Sequence, residues 1–150
     1  MPTHQIVKEF KIDMAHRLWN QELPDGMPCK CKNVHGHTTV IKIALSNDRL
    51  DDKGMIIDFI ALKPFIKEFE DMFDHKLVID ESDPLKDKFI DVPGSVFVPY
   101  SPTAENFAEY AFGFFSGKLS DYNSENSTNI TVDYVEWWET QTAFAKFSMR

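Results

Sequence analysis

Cys31-Lys32-Asn33-Val34-His35-Gly36-His37, running into Thr38-Thr39-Val40-Ile41-Lys42-Ile43-Ala44-Leu45, is the stretch around which the chain is arranged. From His35 onward apolar residues alternate with others, the pattern of a strand with one buried face. Residues two apart share a side, so that face reads His35, His37, Thr39, Ile41, Ile43, Leu45. Both imidazoles therefore cap a core-facing stripe, and two histidines one residue apart on a strand can reach one metal ion. Gly36 between them leaves the opposite face bare.

The same alternation runs back through Ile6 to His16, where Ile6, Lys8, Phe10, Ile12, Met14 and His16 share a face. His16 ends that face as His35 and His37 begin theirs. Three imidazoles at the ends of two buried stripes match a three-histidine catalytic zinc site, which keeps a fourth position open for water or substrate. Cys29 and Cys31 stand two apart, too close for an unstrained mutual disulfide, and read as free thiols. Cys31 is the candidate base, with Lys30, Lys32 or a zinc ion favouring its thiolate. A structural zinc site built from Cys29, Cys31, His35 and His37 is the competing arrangement.

Working outward, Arg17 to Asn33 is a long polar connection with Pro24, Gly26 and Pro28, the length of a functional loop. Strand two ends near Ser46, and Met55 to Ile57 reads as a short returning strand. Asp58 is an N-cap, and Phe59, Leu62, Phe65, Ile66, Phe69, Met72 and Phe73 recur at helical spacing. Pro64 draws the expected start of that helix toward Ala61. It ends at Asp74-His75, a carboxylate beside an imidazole, the pairing that proton-shuttling sites use. Residues 80–99 read as loop with a short strand at Val96 to Val98. Ser101 as N-cap and Pro102 at the first turn open a second helix, expected to stop near Gly117. Asp121 to Asn129 reads as a turn, followed by a hairpin of Ile130–Trp138 and Thr142–Phe147. Glu139 at its turn can accept two adjacent N–H donors of a heterocycle, or stand as a simple exposed acid. The order of elements is that of an α+β fold, with helices on one face of a sheet.

At 150 residues the chain is most simply one domain, residues 1–150, able to bury about two thirds of its surface. A net charge of −8 disfavours a nucleic-acid binder, which needs a basic surface. No apolar run reaches membrane-spanning length and no signal-peptide core is visible, so a cytoplasmic protein is expected. The 13 Phe and 3 Trp exceed what a small core needs, and with open sheet edges they point to a homo-oligomer.

Together these motifs resemble the 6-pyruvoyl-tetrahydropterin synthase and 6-carboxy-tetrahydropterin synthase family. Phe10 through His16-Arg17-Leu18 resembles its first histidine motif, and Cys31 to His37 its CxxxHGH motif. Gly54 to Asp58-Phe59 with Leu62-Lys63, Asp74-His75, Pro102 to Asn106, and Trp138-Glu139-Thr140 follow in the family's order. The resemblance implies a tunnelling fold, a four-stranded antiparallel sheet with two helices on one face, closed into trimers and paired into hexamers. It implies that His16, His35 and His37 bind zinc, that Cys31 accepts a proton with Asp74 and His75 as its relay, and that Glu139 anchors a pterin with Thr103 nearby. The short gap from Cys31 to the HGH motif resembles the carboxy-type enzymes, whereas Cys29 lies at the gap of the pyruvoyl type. The expected activity is zinc-dependent conversion of 7,8-dihydroneopterin triphosphate to 6-carboxy-5,6,7,8-tetrahydropterin, acetaldehyde and triphosphate. Formation of 6-pyruvoyl-tetrahydropterin, or a noncatalytic zinc-stabilised binding module, are the alternatives.

Overall fold

The computed structural model describes residues 3–149. In chain order the elements are β1 (His4–His16), β2 (His35–Asn47), α1 (Phe59–Phe73), β3 (Leu77–Asp80), α2 (Lys86–Phe89), β4 (Ser95–Val98), α3 (Ala104–Asn126), β5 (Thr131–Trp138) and β6 (Phe144–Phe147), with a 3₁₀ turn at Lys30–Lys32. Alternation in the first two segments produces a long antiparallel ribbon, registered from His4 opposite Asn47 to His16 opposite His35. One face buries Phe10, Ile12, Met14, Thr39, Ile41, Ile43 and Leu45, while Glu9, Lys11, Asp13 and Thr38 stay exposed on the other.

The sheet has six strands in the order β4-β3-β1-β2-β5-β6, rather than the four antiparallel strands expected. The antiparallel set β1, β2, β5 and β6 is present, with a bulge between Ala44 and Leu45 where β2 meets β5. β3 and β4 are additional, parallel strands on the free side of β1. Each is four residues long. Leu77-Val78-Ile79 is a continuous apolar run, which carries no period-two signal. Met55 to Ile57, by contrast, forms no strand, although Ile56 and Ile57 enter the core.

Both long helices cover the apolar face, as expected. Phe69 of α1 meets the rings of Phe10, Phe115 and Trp137, and Phe107 of α3 stacks on Trp137 at 4.8 Å. Burying each such ring stabilises the fold by roughly 2–3 kcal/mol. α1 begins at Phe59, earlier than Pro64 suggested, because the Asp58 carboxylate accepts from the Ile60 N–H at 2.9 Å. Pro64 then costs only the bond to the Ile60 carbonyl, on an exposed residue. The N-cap of α3 is Thr103 rather than Ser101, its hydroxyl accepting from the Asn106 N–H at 3.2 Å. The helix passes through Gly117 and absorbs the expected turn from Asp121. A side chain at Gly113 or Gly117 would meet nothing, so these glycines face open space, while Leu119 beyond them is buried. Asn123 ends the helix by holding Thr128 and Ile130. No helix among the described residues is long and apolar enough to cross a membrane.

Candidate active site

Pairing His16 with His35 places the last residue of β1 against the first of β2, and one pleat further on His37 joins them. The three rings lie 4.6–5.2 Å apart by centroid, with one nitrogen of each within 4.8 Å of the others. His16 Nδ1–H donates to the Pro102 carbonyl at 2.6 Å and His35 Nδ1–H to the Asn33 carbonyl at 2.7 Å. Carbonyl acceptors assign the hydrogen to Nδ1 in both rings, leaving each neutral ring a bare lone pair on Nε2. Those two Nε2 atoms face each other at 3.1 Å, and His37 Nε2 is buried without a partner.

Lone pairs set against one another repel unless a cation lies between them. Zinc–nitrogen bonds of 2.0–2.1 Å in tetrahedral geometry separate two ligands by about 3.3 Å, so the donor set fits zinc. Burial pushes the His16 pKa down to about 4, against the Pro102 bond that raises it and with His35 and His37 lowering it further. The ring is neutral at pH 7, the form that ligates a metal. Gly36 suits the close strand approach here, since a Cβ would press on the Met14 carbonyl oxygen at 3.3 Å. The competing Cys29, Cys31, His35, His37 set is not assembled: among the described residues neither thiol joins the histidine cluster.

Cys31 sits in the 3₁₀ turn, whose N-cap is Cys29; the Cys29 sulfur accepts weakly from the Cys31 N–H at 3.5 Å. Burial pushes the Cys31 thiol up, as do its hydrogen bond with Cys29 and the charges of Cys29 and Glu139. Lys30 is exposed and Lys32 faces Glu22 at 3.8 Å, so the groups that bear on the thiol are Cys29 and Glu139. Glu139 follows β5 directly and is only 29 % exposed, so it is not a simple surface turn acid. Its Oε1 lies 3.5 Å from His16 Nε2 and 3.9 Å from His37 Nε2. Glu139 and Thr103 both line a cleft of about 330 Å³, with Leu18, Gln21 and Phe144. That volume is in the range of small-ligand sites.

Asp74 and His75 are paired, His75 Nδ1 lying 2.9 Å from Asp74 Oδ2. Asp74 caps α1 and also accepts the Asp13 N–H at 2.8 Å, and His75 takes a left-handed φ of 60°. Burial raises the Asp74 carboxyl, but the Asp13 bond and His75 outweigh it and hold it below the usual range. The pair gathers with the Asp13 carboxylate, which accepts from Thr38 on the exposed face. His75 thus groups with Asp13 and Asp74 rather than with the three-histidine cluster, although it lines with His37 a cavity of about 470 Å³. The contributions of Asn33 and Pro102 are not legible in the sequence, because each acts through its backbone carbonyl.

A family model described as 6-pyruvoyl tetrahydropterin synthase matches residues 5–150. The 6-carboxy-5,6,7,8-tetrahydropterin synthase of Aquifex aeolicus is 29 % identical, the alignment covering 95 % of this chain and 96 % of that one. The enzyme of the same name from Rickettsia felis is 31 % identical over 95 % of this chain and 98 % of its own. Among solved structures, an uncharacterized protein from Wolinella succinogenes has the same fold, with a TM-score of 0.86 at 24 % identity and full coverage of both chains.

Proposed function

The chain belongs to the 6-pyruvoyl tetrahydropterin synthase family, and from that membership we propose that it is a zinc-dependent 6-carboxy-5,6,7,8-tetrahydropterin synthase. It converts 7,8-dihydroneopterin triphosphate and one water to the 6-carboxy product, acetaldehyde and triphosphate, supplying a precursor for deazapurines. The observation that carries this is end-to-end likeness to relatives of that name, in a chain whose clustered His16 and His37 turn Nε2 toward Glu139.

His16, His35 and His37 would hold the metal. Zinc bound there supplies Lewis acidity to the substrate's side-chain oxygens. Glu139 accepts two N–H donors from the pterin edge, a fork that fixes the heterocycle in the cleft with Thr103. Pairing Glu139 with those donors offsets one of the charges that keep Cys31 protonated, so substrate binding favours the thiolate. Cys31 then takes the proton from a side-chain carbon. Asp74 fixes the His75 ring by holding Nδ1–H, which leaves Nε2 to exchange protons with the thiol. His75 groups with Asp13 and Asp74 rather than with the histidine cluster, and in the proposed arrangement a second copy of the chain delivers His75 to Cys31. That requirement supports a homo-oligomer, a trimer or a pair of trimers. The substrate is a small molecule and the setting cytoplasmic.

Mass spectrometry of the products tests the proposal. The 6-carboxy product supports it, the 6-pyruvoyl product supports the other branch of the family, and pterin binding without turnover supports a noncatalytic module.

A further inference from the structure

The proposed chemistry leaves four polar side chains beside the site unused: Arg17, Trp19, Asp80 and Asp83. Arg17 follows His16 directly. Its Nε–H and Nη2–H donate to the two oxygens of Asp83 at 2.6 and 3.0 Å, and its Nη1–H donates to the Lys32 carbonyl at 3.2 Å. The Asp83 side chain is 0 % exposed. One of its oxygens also accepts the Leu85 N–H at 2.8 Å. Beside it, the buried Asp80 accepts from Trp19 Nε1–H at 3.2 Å and from the Ser82 N–H at 2.8 Å. The Leu18 N–H donates to the Cys31 carbonyl at 2.7 Å. The last two carbonyls of the thiol-bearing turn are thus held by residues 17 and 18, and residue 17 is held by the turn that follows β3.

A buried ion pair pays heavily for desolvation and is weak evidence of stabilisation, but a bidentate guanidinium fixes direction as well as distance. A planar fork can serve Asp83 and the Lys32 carbonyl together, whereas an ammonium on a flexible stem cannot span both. We propose that Arg17 and Asp83 are positioning residues for Cys31, a clamp that fixes the thiol's turn relative to His16. This rests on the assignment of Cys31 as the base.

Asp83→Asn and Arg17→Lys test the clamp, the second keeping a positive charge beside Asp83 should the first fail to fold. Two readouts are taken: kcat and KM with zinc content, and the rate at which iodoacetamide alkylates Cys31 in a Cys29→Ser background. The clamp predicts kcat lower by about 10- to 100-fold at unchanged KM and zinc content, with Cys31 alkylated at least several-fold faster. Unchanged kcat and alkylation rate in a folded variant would overturn it. So would loss of zinc in step with kcat, which would make Arg17 a support for His16. If the wild-type chain turns over no pterin, the proposed function fails, while the alkylation rates still decide whether the clamp exists.

Discussion

His16 Nε2 and His35 Nε2 face each other at 3.1 Å with no hydrogen between them, because both rings spend their N–H on backbone carbonyls. An arrangement of facing lone pairs is relieved by a cation held between them, and the donor set suits zinc. We expect about one zinc per chain, with His37→Ala losing most of it under mild chelation. Elemental analysis of the variant checks this, and full zinc retention would refute the three-histidine site. Removal of both thiols should leave the zinc content unchanged.

The depressed pKa of His16 gives the metal-free chain a pH signature. The unfolded ring takes a proton near 6.5, the folded one only near 4, so between these values the unfolded state binds more protons. Stability is therefore lost as pH falls from 6.5 to 4, by up to roughly 3 kcal/mol, and His16 contributes no slope above that window. Urea unfolding of the zinc-stripped protein at pH 7.5 and 5 measures the loss. A His16→Gln chain that shows the same slope would assign it elsewhere.

In the proposed function Cys31 transfers the protons and Glu139 orients the pterin. Cys31→Ala should lower kcat by roughly 100-fold or more with pterin binding retained. Glu139→Gln should weaken binding by roughly 1–3 kcal/mol, since the amide offers an N–H where the pterin needs an acceptor. Removing the Glu139 charge should also move the Cys31 alkylation profile to lower pH, because a nearby anion disfavours the thiolate. Steady-state kinetics and alkylation against pH read these effects separately. A fully active Cys31→Ala with a dead Cys29→Ala would transfer the role to Cys29.

If His75 reaches Cys31 from a second copy of the chain, as the proposed function has it, each site depends on two chains. Cys31→Ala and His75→Ala homo-oligomers should each be inactive, while oligomers mixed from both should regain part of the activity by pairing an intact thiol with an intact imidazole. Activity assays after co-refolding check this. No recovery in mixed oligomers, or a monomeric mass by light scattering at micromolar concentration, would contradict a shared site.

Much of this was legible from residue patterns, and the exceptions share physical causes. The HxH alternation placed the histidines correctly because a strand's period of two is rigid. The aromatic face of α1 was legible for the same kind of reason, a clear helical period. β3 was missed because Leu77 to Asp80 is short and apolar without alternation, and its parallel pairing to β1 depends on the α1 crossover. α3 outran its expected end because Gly117 sits where no neighbour tests it. The groups that raise the Cys31 thiol include Glu139, and the nearness of Lys30 and Lys32 along the chain says nothing of where that carboxylate lies. The Arg17–Asp83 pair spans 66 residues, and neither partner belongs to a periodic pattern.

Acetaldehyde release is the most direct test of the proposed activity. Zinc-loaded protein incubated with 7,8-dihydroneopterin triphosphate should form acetaldehyde, triphosphate and 6-carboxy-5,6,7,8-tetrahydropterin in equal amounts. Triphosphate released with a 6-pyruvoyl product and no acetaldehyde would contradict it.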